Sequence, residues 1–326
     1  MSIWRRVIGG CTSAALFLMM NLNLASAQTY QPVVPGTGIK IAKVGDDFED
    51  VTWKYQPANP KSSRDLDKRE RLPTGKSENE RWYEGVKRGH PDVVRRIATP
   101  LGGLTGSNGS LLLQSLRTGL PSRTSDRQQQ DDFIADVHYR LGGAIPVSQS
   151  PNVVVRVYLP GVDRWEQRQG THFGFRIATV TTIDKVSLGF LSIPKKKSET
   201  YWPGMFLDFE PRQTPGGNAY ASWRVRGDNN GNDYESKSVT SVGWWTLGMS
   251  LTPDGRVHYF AKPGIEKLTI EDRLASEFPY GYRAEHFKTF FFNICNGDDG
   301  HTLSTPFVID DPAVYFIRPA RTALRP

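Results

Sequence analysis

The stretch MFLDFEPR, residues 205–212, places two carboxylic acids, Asp208 and Glu210, two positions apart. On an extended strand successive side chains alternate sides, so both acids share one face, and Phe206 is the next residue back on it. Paired carboxylates are the chemistry of glycoside hydrolysis, in which a retaining enzyme holds two carboxyl groups about 5–5.5 Å apart, one ionised and one protonated. A third acid at 206 would complete Glu-x-Asp-x-Glu, a spacing at which one strand carries the whole acid/base apparatus. Phenylalanine cannot attack an anomeric carbon, so this strand is expected to contact sugar without cleaving it.

Aromatic rings supply the second kind of chemistry, because flat faces stack on the C–H faces of sugars. Trp202, Trp244, Trp245 and Tyr259 fall on neighbouring strand candidates. Trp244 and Trp245 are adjacent, so they point to opposite faces and only one of them enters the core. An outward tryptophan beside Asp208 and Glu210 would make a carbohydrate platform.

Acid-rich segments near the two ends are the third signal. DDFED (46–50) puts Asp47 and Glu49 on one strand face, and IDDP (309–312) brings Asp310 if the first and last strands pair. Calcium takes six to eight oxygen ligands, largely carboxylate and carbonyl, so Asp47, Glu49 and Asp310 are candidate ligands for a structural Ca2+. Turn and capping duty is the alternative for each acid. Motifs for other chemistries are missing: there is no Gly-x-Ser-x-Gly, His-Glu-x-x-His or Cys-x-x-Cys.

These residues need a scaffold, and the chain of 326 residues supplies one after a short leader. Arg5 and Arg6, the apolar run AALFLMMNLNLA and Ala25-Ser26-Ala27 form the pattern of a secretory signal peptide over residues 1–27. Asn21 and Asn23 interrupt the apolar run, and no later segment is apolar enough to span a membrane. Residues 28–45, rich in Pro and Gly, read as a linker, and residues 46–326 as one domain in a secreted or periplasmic protein. Cys295 is the one cysteine left after the leader, so no intrachain disulfide forms and the fold must rely on its core. The net charge of +7 falls to +5 without Arg5 and Arg6, and residues 61–96 carry 11 Lys/Arg against seven Asp/Glu. A basic surface favours anionic polymers such as acidic polysaccharide. Export and the lack of a binding motif argue against nucleic acid.

Nine alternating segments read as strands: DDFIADVHYRL, NVVVRVYLP, THFGFRIATVTT, YWPGMFLDFEP, YASWRVRG, GWWTLGMSLTP, RVHYFAKPG, KTFFFNICN and PFVIDDPAVYFI. GSLLLQSL and DDFEDVTW add further strands, the latter with Phe48 inward. Turns such as TPGGN, DNNGND, TPDGR and NGDDGH separate the segments, since Gly, Asn and Asp tolerate positive φ. ENERWYEGVKR and IEDRLASEF are expected to be short helices. Residues 57–90 read as a polar, turn-rich excursion. The sum is an all-β, two-sheet antiparallel sandwich of the jelly-roll type.

GWWTLGMSLTPDGRVHYFAKPG resembles the paired strands of concanavalin A-like jelly rolls of the laminin-G and glucanase type, and DDFEDVTW and FVIDDPAVYFI are similar to their first and last strands. The resemblance implies a secreted carbohydrate-binding fold whose first and last strands are adjacent. In laminarinase-type hydrolases of that fold the first Glu of Glu-x-Asp-x-Glu attacks the sugar and the last is the acid/base; Phe206 stands at the attacking position here. Alginate-lyase-type jelly rolls are similar in another respect, through His138 in DVHYR and through Tyr259 and Lys262 in YFAKPG. That likeness implies proton transfer by His138 and Tyr259, but Asp136 replaces the family's Gln, and its Arg-x-Glu-x-Arg element is not recognisable. The leading expectation is a monomeric, non-catalytic carbohydrate-binding protein using Trp202, Asp208, Glu210, Trp244, Trp245 and Tyr259. A polysaccharide lyase or degenerate hydrolase is the second class, and an extracellular structural or adhesion module the third.

Overall fold

The computed structural model describes residues 30–59, 61, 75–85, 87–118, 129–185, 195–212 and 217–318. The expected signal peptide at 1–27 lies outside the described residues. In chain order the described strands begin with β1 (Ile39–Lys40), β2 (Tyr55–Gln56), β3 (Lys76–Ser77), β4 (Trp82–Glu84), β5 (Val93–Ile97), β6 (Ser110–Gln114) and β7 (Gln129–Ala135). Next come β8 (Ile145–Pro146), β9 (Asn152–Leu159), β10 (Gly170–Lys185), β11 (Lys195–Tyr201), β12 (Gly204–Glu210), β13 (Tyr220–Arg226) and β14 (Asp233–Ser238). The last are β15 (Gly243–Leu251), β16 (Val257–Pro263), β17 (Arg273–Glu277), β18 (His286–Asn296) and β19 (Phe307–Phe316).

They form two antiparallel sheets packed as a sandwich. Sheet one runs β17-β16-β15-β9-β19-β6-β5, with β1 also on β19. Sheet two runs β14-β13-β12-β10-β18-β7-β4-β3-β2, with β11 on β10 and β8 on β18. The chain crosses between sheets repeatedly, from β9 to β10, from β14 to β15 and from β17 through β18 to β19, which is how a jelly roll wraps its core.

The segments become strands because alternate positions meet that core. In β10, Phe173, Phe175 and Ile177 are fully buried between the sheets, and in β18 Phe290, Phe292 and Ile294 meet them. Trp82 of β4 stacks on Phe133 of β7 at 4.6 Å between centroids and 10° between planes. Phe290 and Phe292 approach the same indole at 5.7 and 6.0 Å. This packed aromatic layer does the work that disulfides do in smaller domains; Cys295 is buried on β18.

Several local expectations are corrected. ENERWYEGVKR contains strand β4 where a helix was expected, because Trp82 and Glu84 are both buried with Tyr83 between them facing the other way. IEDRLASEF makes a single 3-10 turn, Ile270–Asp272, closed by a capping box with Thr269, and then continues as β17 against β16. DVHYR does not continue β7: His138–Leu141 is one helical turn ended by Gly142 at φ 69°. DDFEDVTW is not a strand, although Phe48 is buried as expected; its backbone sits at φ 56° and its carbonyl accepts from Arg96 Nε at 2.6 Å. The segment that pairs with β19 is β1, inside the stretch expected to be linker. That lead-in also packs Val34 on Val154, Phe260, Leu268 and Ala313, covering the outer face of sheet one.

Phe292→Ala should remove a ring that touches Phe173, Phe175, Phe290 and Trp82 at 5.6–6.0 Å. Loss of about 3–5 kcal/mol is expected. Urea unfolding followed by tryptophan fluorescence measures it, and a loss below about 1 kcal/mol, the range of a volume-conserving swap, would contradict the packing described.

Candidate functional site on the outer face of sheet two

The alternation that buries one face of β7, β18, β10, β12 and β13 sends a defined set of side chains outward. Pairing registers align them in two transverse rows. One row reads Asp132, Asn293, Gly174, Phe206, Arg224 and Glu235. The next reads Ile134, Phe291, Arg176, Gly204, Arg226 and Asp233. Each row has a glycine at its middle. A Cβ on Gly174 would lie 2.9 Å from Asn293 Oδ1 and 3.2 Å from the Phe206 ring, and one on Gly204 would lie 2.5 Å from Arg176 Cγ. The glycines therefore make room for Phe206 and Arg176 to lie flat across the sheet.

Arginine and phenylalanine interleave over that floor. The Arg176 guanidinium lies 5.4 Å from the Phe206 ring and 5.3 Å from the Phe291 ring, and Arg226 lies 4.7 Å over Phe206. Such cation–π contacts hold cations against apolar surface and strengthen as water is excluded. Arg226 is neutralised by a two-pronged pair to Asp233 at 2.7 and 2.9 Å. Arg224 faces Asp208 at 3.4 Å. Arg176 has no carboxylate within ion-pair distance among the described residues; it donates to Trp202 O at 2.9 Å, and its Nε is buried without a partner. Burial, reinforced by the charge of Arg226, lowers its pKa to about 10, which leaves it a cation at neutral pH. Asn293 Oδ1 is likewise buried and unpaired, while its Nδ2 donates to Asp132 Oδ1 at 2.6 Å. An unmade donor and an unmade acceptor thus occupy adjacent rows of one face. Buried polar atoms usually find partners, and these two, lying beneath the outer charged groups of the sheet, do not.

The predicted site residues separate. Asp208 and Glu210 both project onto this face, as alternation requires, and Phe206 beside them is the ring at its centre. Asp208 accepts from Thr171 Oγ1 at 2.6 Å, and burial raises its pKa. Glu210 is exposed. Trp202 joins them at the margin, with Lys87 Nζ 4.6 Å from its ring centroid. Trp245 and Tyr259 do not: both are fully buried in the core, Trp245 donating to Ser241 O and Tyr259 to Arg226 O. Trp244 points outward from sheet one, on the far side of the sandwich, where it meets Tyr158 and donates to Pro100 O at 3.4 Å. The platform of Trp244 beside Glu210 therefore does not form, because the two residues belong to different sheets. His138 and Tyr259, linked through the lyase resemblance, do not converge either: one sits on the helical turn and the other in the core. Sequence reasoning missed Arg176, Arg226, Asn293 and Phe291. Their signal lies in the alternation of HFGFRIA, SWRVR and FFFNIC, in which polar or charged residues interrupt apolar runs at every second position.

The calcium expectation meets protein donors. Glu49 accepts from the Asn108 and Gly109 backbone at 2.9 and 3.2 Å, Asp310 from Ser107 Oγ at 2.9 Å, and Asp47 from Glu49 N at 3.3 Å. Among the described residues no three His, Cys, Asp or Glu side chains gather as a metal cluster. Asp46, not singled out from sequence, is the structural acid of this end, accepting from Trp53 Nε1 at 3.0 Å and Asn79 Nδ2 at 2.7 Å.

No family model matches the sequence, and no curated protein matches it. Solved structures similar to the chain include a carbohydrate esterase from a Shiga toxin-encoding bacteriophage, at 8% identity and a TM-score of 0.43, covering 73% of this chain and 91% of that one. An alginate lyase solved with dimannuronate matches at 6% identity and 0.35, covering 64% and 75%. A β-glucanase catalytic domain from Podospora anserina matches at 12% and 0.34, covering 64% and 73%. At such scores and identities these likenesses assign neither activity nor ligand to this chain.

Two predictions follow from the carboxylates. Burial pushes the Asp132 carboxyl up to about 6, against the pull of Arg88 and Arg176. The folded protein therefore binds this proton more tightly than an unfolded aspartate near 3.9, and the stability it contributes is full at low pH and is lost as pH rises from about 4 to about 6. Asp132→Asn should flatten that fall and raise stability at pH 7.5 by about 1–3 kcal/mol in urea titrations. Unchanged pH dependence in the variant would sink the assignment. Second, the calcium expectation at Asp47, Glu49 and Asp310 is tested by thermal melts in calcium and in chelator: a calcium-dependent rise abolished by Asp310→Asn would assign the ion, and coincident melts would leave these acids to the protein donors described.

Proposed function

We propose that this protein is exported and binds an acidic polysaccharide along the outer face of sheet two, without hydrolysing it. The observation that carries the reading is Arg176: a guanidinium lying across two phenylalanine rings, with no carboxylate partner and an unused Nε donor. A uronate carboxylate supplies the missing counter-charge, and guanidinium binds carboxylate with charge-assisted hydrogen bonds stronger than neutral ones. Trp202 offers ring surface to sugar C–H faces at the margin, while the buried Phe206 and Phe291 rings support the guanidiniums from beneath. Asp208 and Glu210 limit the positive field to the centre of the face, which favours spaced carboxylates over a dense polyanion.

Affinity electrophoresis in gels containing polygalacturonate, alginate or neutral β-glucan tests this. Retardation is expected in the acidic gels only, weakening as salt is raised. Arg176→Gln should reduce the affinity about tenfold or more, as loss of a hydrogen bond to a charged group does. Equal retardation by neutral glucan, or acidic binding unaltered in a folded Arg176→Gln protein, would remove Arg176 from the site.

A further inference from the structure

A second constellation lies on the other sheet, and we propose that Ser276 is a nucleophile for short O-acyl esters, with His258 as its base. This site is independent of the polysaccharide face. It is built by the hairpin between β15 and β16. There Gly255 N–H donates to Thr252 O at 2.8 Å and Thr252 N–H to Arg256 O at 3.1 Å. Gly255 turns the chain at φ 81°, and a Cβ on it would lie 2.6 Å from Ala284 O, so the turn requires glycine. The hairpin fixes Thr252 and Asp254 beside His258, and strand pairing sets Ser276 of β17 directly opposite His258.

The hydrogen-bond directions follow from proton counting. Thr252 Oγ1 lies 2.5 Å from Asp254 Oδ1, and an ionised carboxylate only accepts, so the threonine donates its one proton there. Thr252 Oγ1 is also 2.9 Å from His258 Nε2, so the ring must carry its proton on Nε2 and donate. That leaves the lone pair on Nδ1, 2.8 Å from Ser276 Oγ. The serine hydroxyl therefore points its proton at a free imidazole nitrogen, the arrangement nucleophilic catalysis requires. Burial keeps the ring neutral, lowering its pKa to about 4. Ser276 itself is half-buried on the edge strand β17.

In the acylation step Ser276 Oγ bonds to the ester carbonyl carbon as its proton passes to His258 Nδ1, and the carbonyl electron pair moves to oxygen. Collapse breaks the acyl carbon–oxygen bond, and the leaving alkoxide takes the proton from Nδ1. Water then attacks the acyl-serine as its proton passes to Nδ1; collapse breaks the acyl carbon–Oγ bond, Ser276 Oγ takes the proton back from Nδ1, and the carboxylic acid leaves. Thr252 and Asp254 are positioning residues that hold the tautomer and face the imidazolium with a carboxylate. Arg256 Nη1 donates to the Ser276 backbone carbonyl at 3.3 Å, which holds positive charge beside the serine. Arg256 and Arg283 lie 4.2 and 4.3 Å from the Phe278 ring. Arg256 is paired with Asp254 at 3.7 Å, which leaves Arg283, donating to Asp254 O at 3.1 Å, as the guanidinium with no carboxylate partner among the described residues; it favours an ester carried on an anionic alcohol, such as an O-acetylated acidic sugar.

The test treats the full chain with a fluorophosphonate probe and, separately, with p-nitrophenyl acetate. One adduct is expected, on the peptide containing Ser276, and Ser276→Ala should lose both the adduct and the ester hydrolysis. His258→Gln should slow labelling about a hundredfold, the usual contribution of a general base. Thr252→Ser should retain labelling and Thr252→Val should lose it, a contrast that a purely structural threonine would not produce. No adduct at Ser276 overturns the proposal. So does equal labelling in the two Thr252 variants, which decides the matter even if His258→Gln does not fold.

Discussion

The stack of Trp82 on Phe133, extended by Phe290, Phe292, Phe173 and Phe175, is the constraint on which the molecule depends. These rings come from four strands of sheet two and fill the space between the sheets. Strand side chains alternate with a period of two, so seating the rings inward fixes which residues face outward on every paired strand. A slip of one residue in β10 would turn Arg176 into the space between the sheets and Phe175 outward. The outer rows of sheet two are thus a consequence of the inner layer.

The two outer faces receive different treatment. Sheet one is sealed: Val34 and Leu268 pack onto Val154, Phe260 and Ala313, and Gly36 N–H donates to Asn152 Oδ1, tying the lead-in down. Sheet two keeps charged groups against its own backbone, with Arg224 and Arg226 matched by Asp208 and Asp233, and Arg176 unmatched. Burying an unpaired cation costs stability, and cation–π contact with two rings offsets only part of that cost. A counter-anion from a ligand removes the imbalance, whereas the matched pairs gain little from one.

The Ser276 relay has a different physical basis. It sits at the edge of sheet one, where a hairpin turn and cross-strand pairing orient four side chains without help from the core. Its hydrogen bonds are directional and mutually consistent, so the tautomer of His258 is determined by Asp254 two bonds away. The arginine-lined face of sheet two depends on charge, and this edge depends on proton order.

The sequence by itself determined the sandwich. The nine alternating segments all became strands, the Gly and Asp-rich turns separated them, and the pair Asp208 and Glu210 shares an outward face because period-two geometry is local. It also determined that Trp244 and Trp245 face opposite ways, so that only Trp245 joins the core, although Trp244 is buried as well. What it left open was decided by long-range pairing. Which tryptophan goes inward, and that Trp244 and Glu210 lie on opposite sides of the molecule, depends on β15 joining β9 in one sheet and β12 joining β10 in the other. Trp82 turned a helical-looking segment into a strand because the rings of Phe133 and Phe290, distant in sequence, offered more burial than a surface helix could. Arg176, Phe206, Phe291 and Asn293 each look unremarkable in their own strands; only register places them in adjacent rows, and register is a property of paired strands rather than of any one of them.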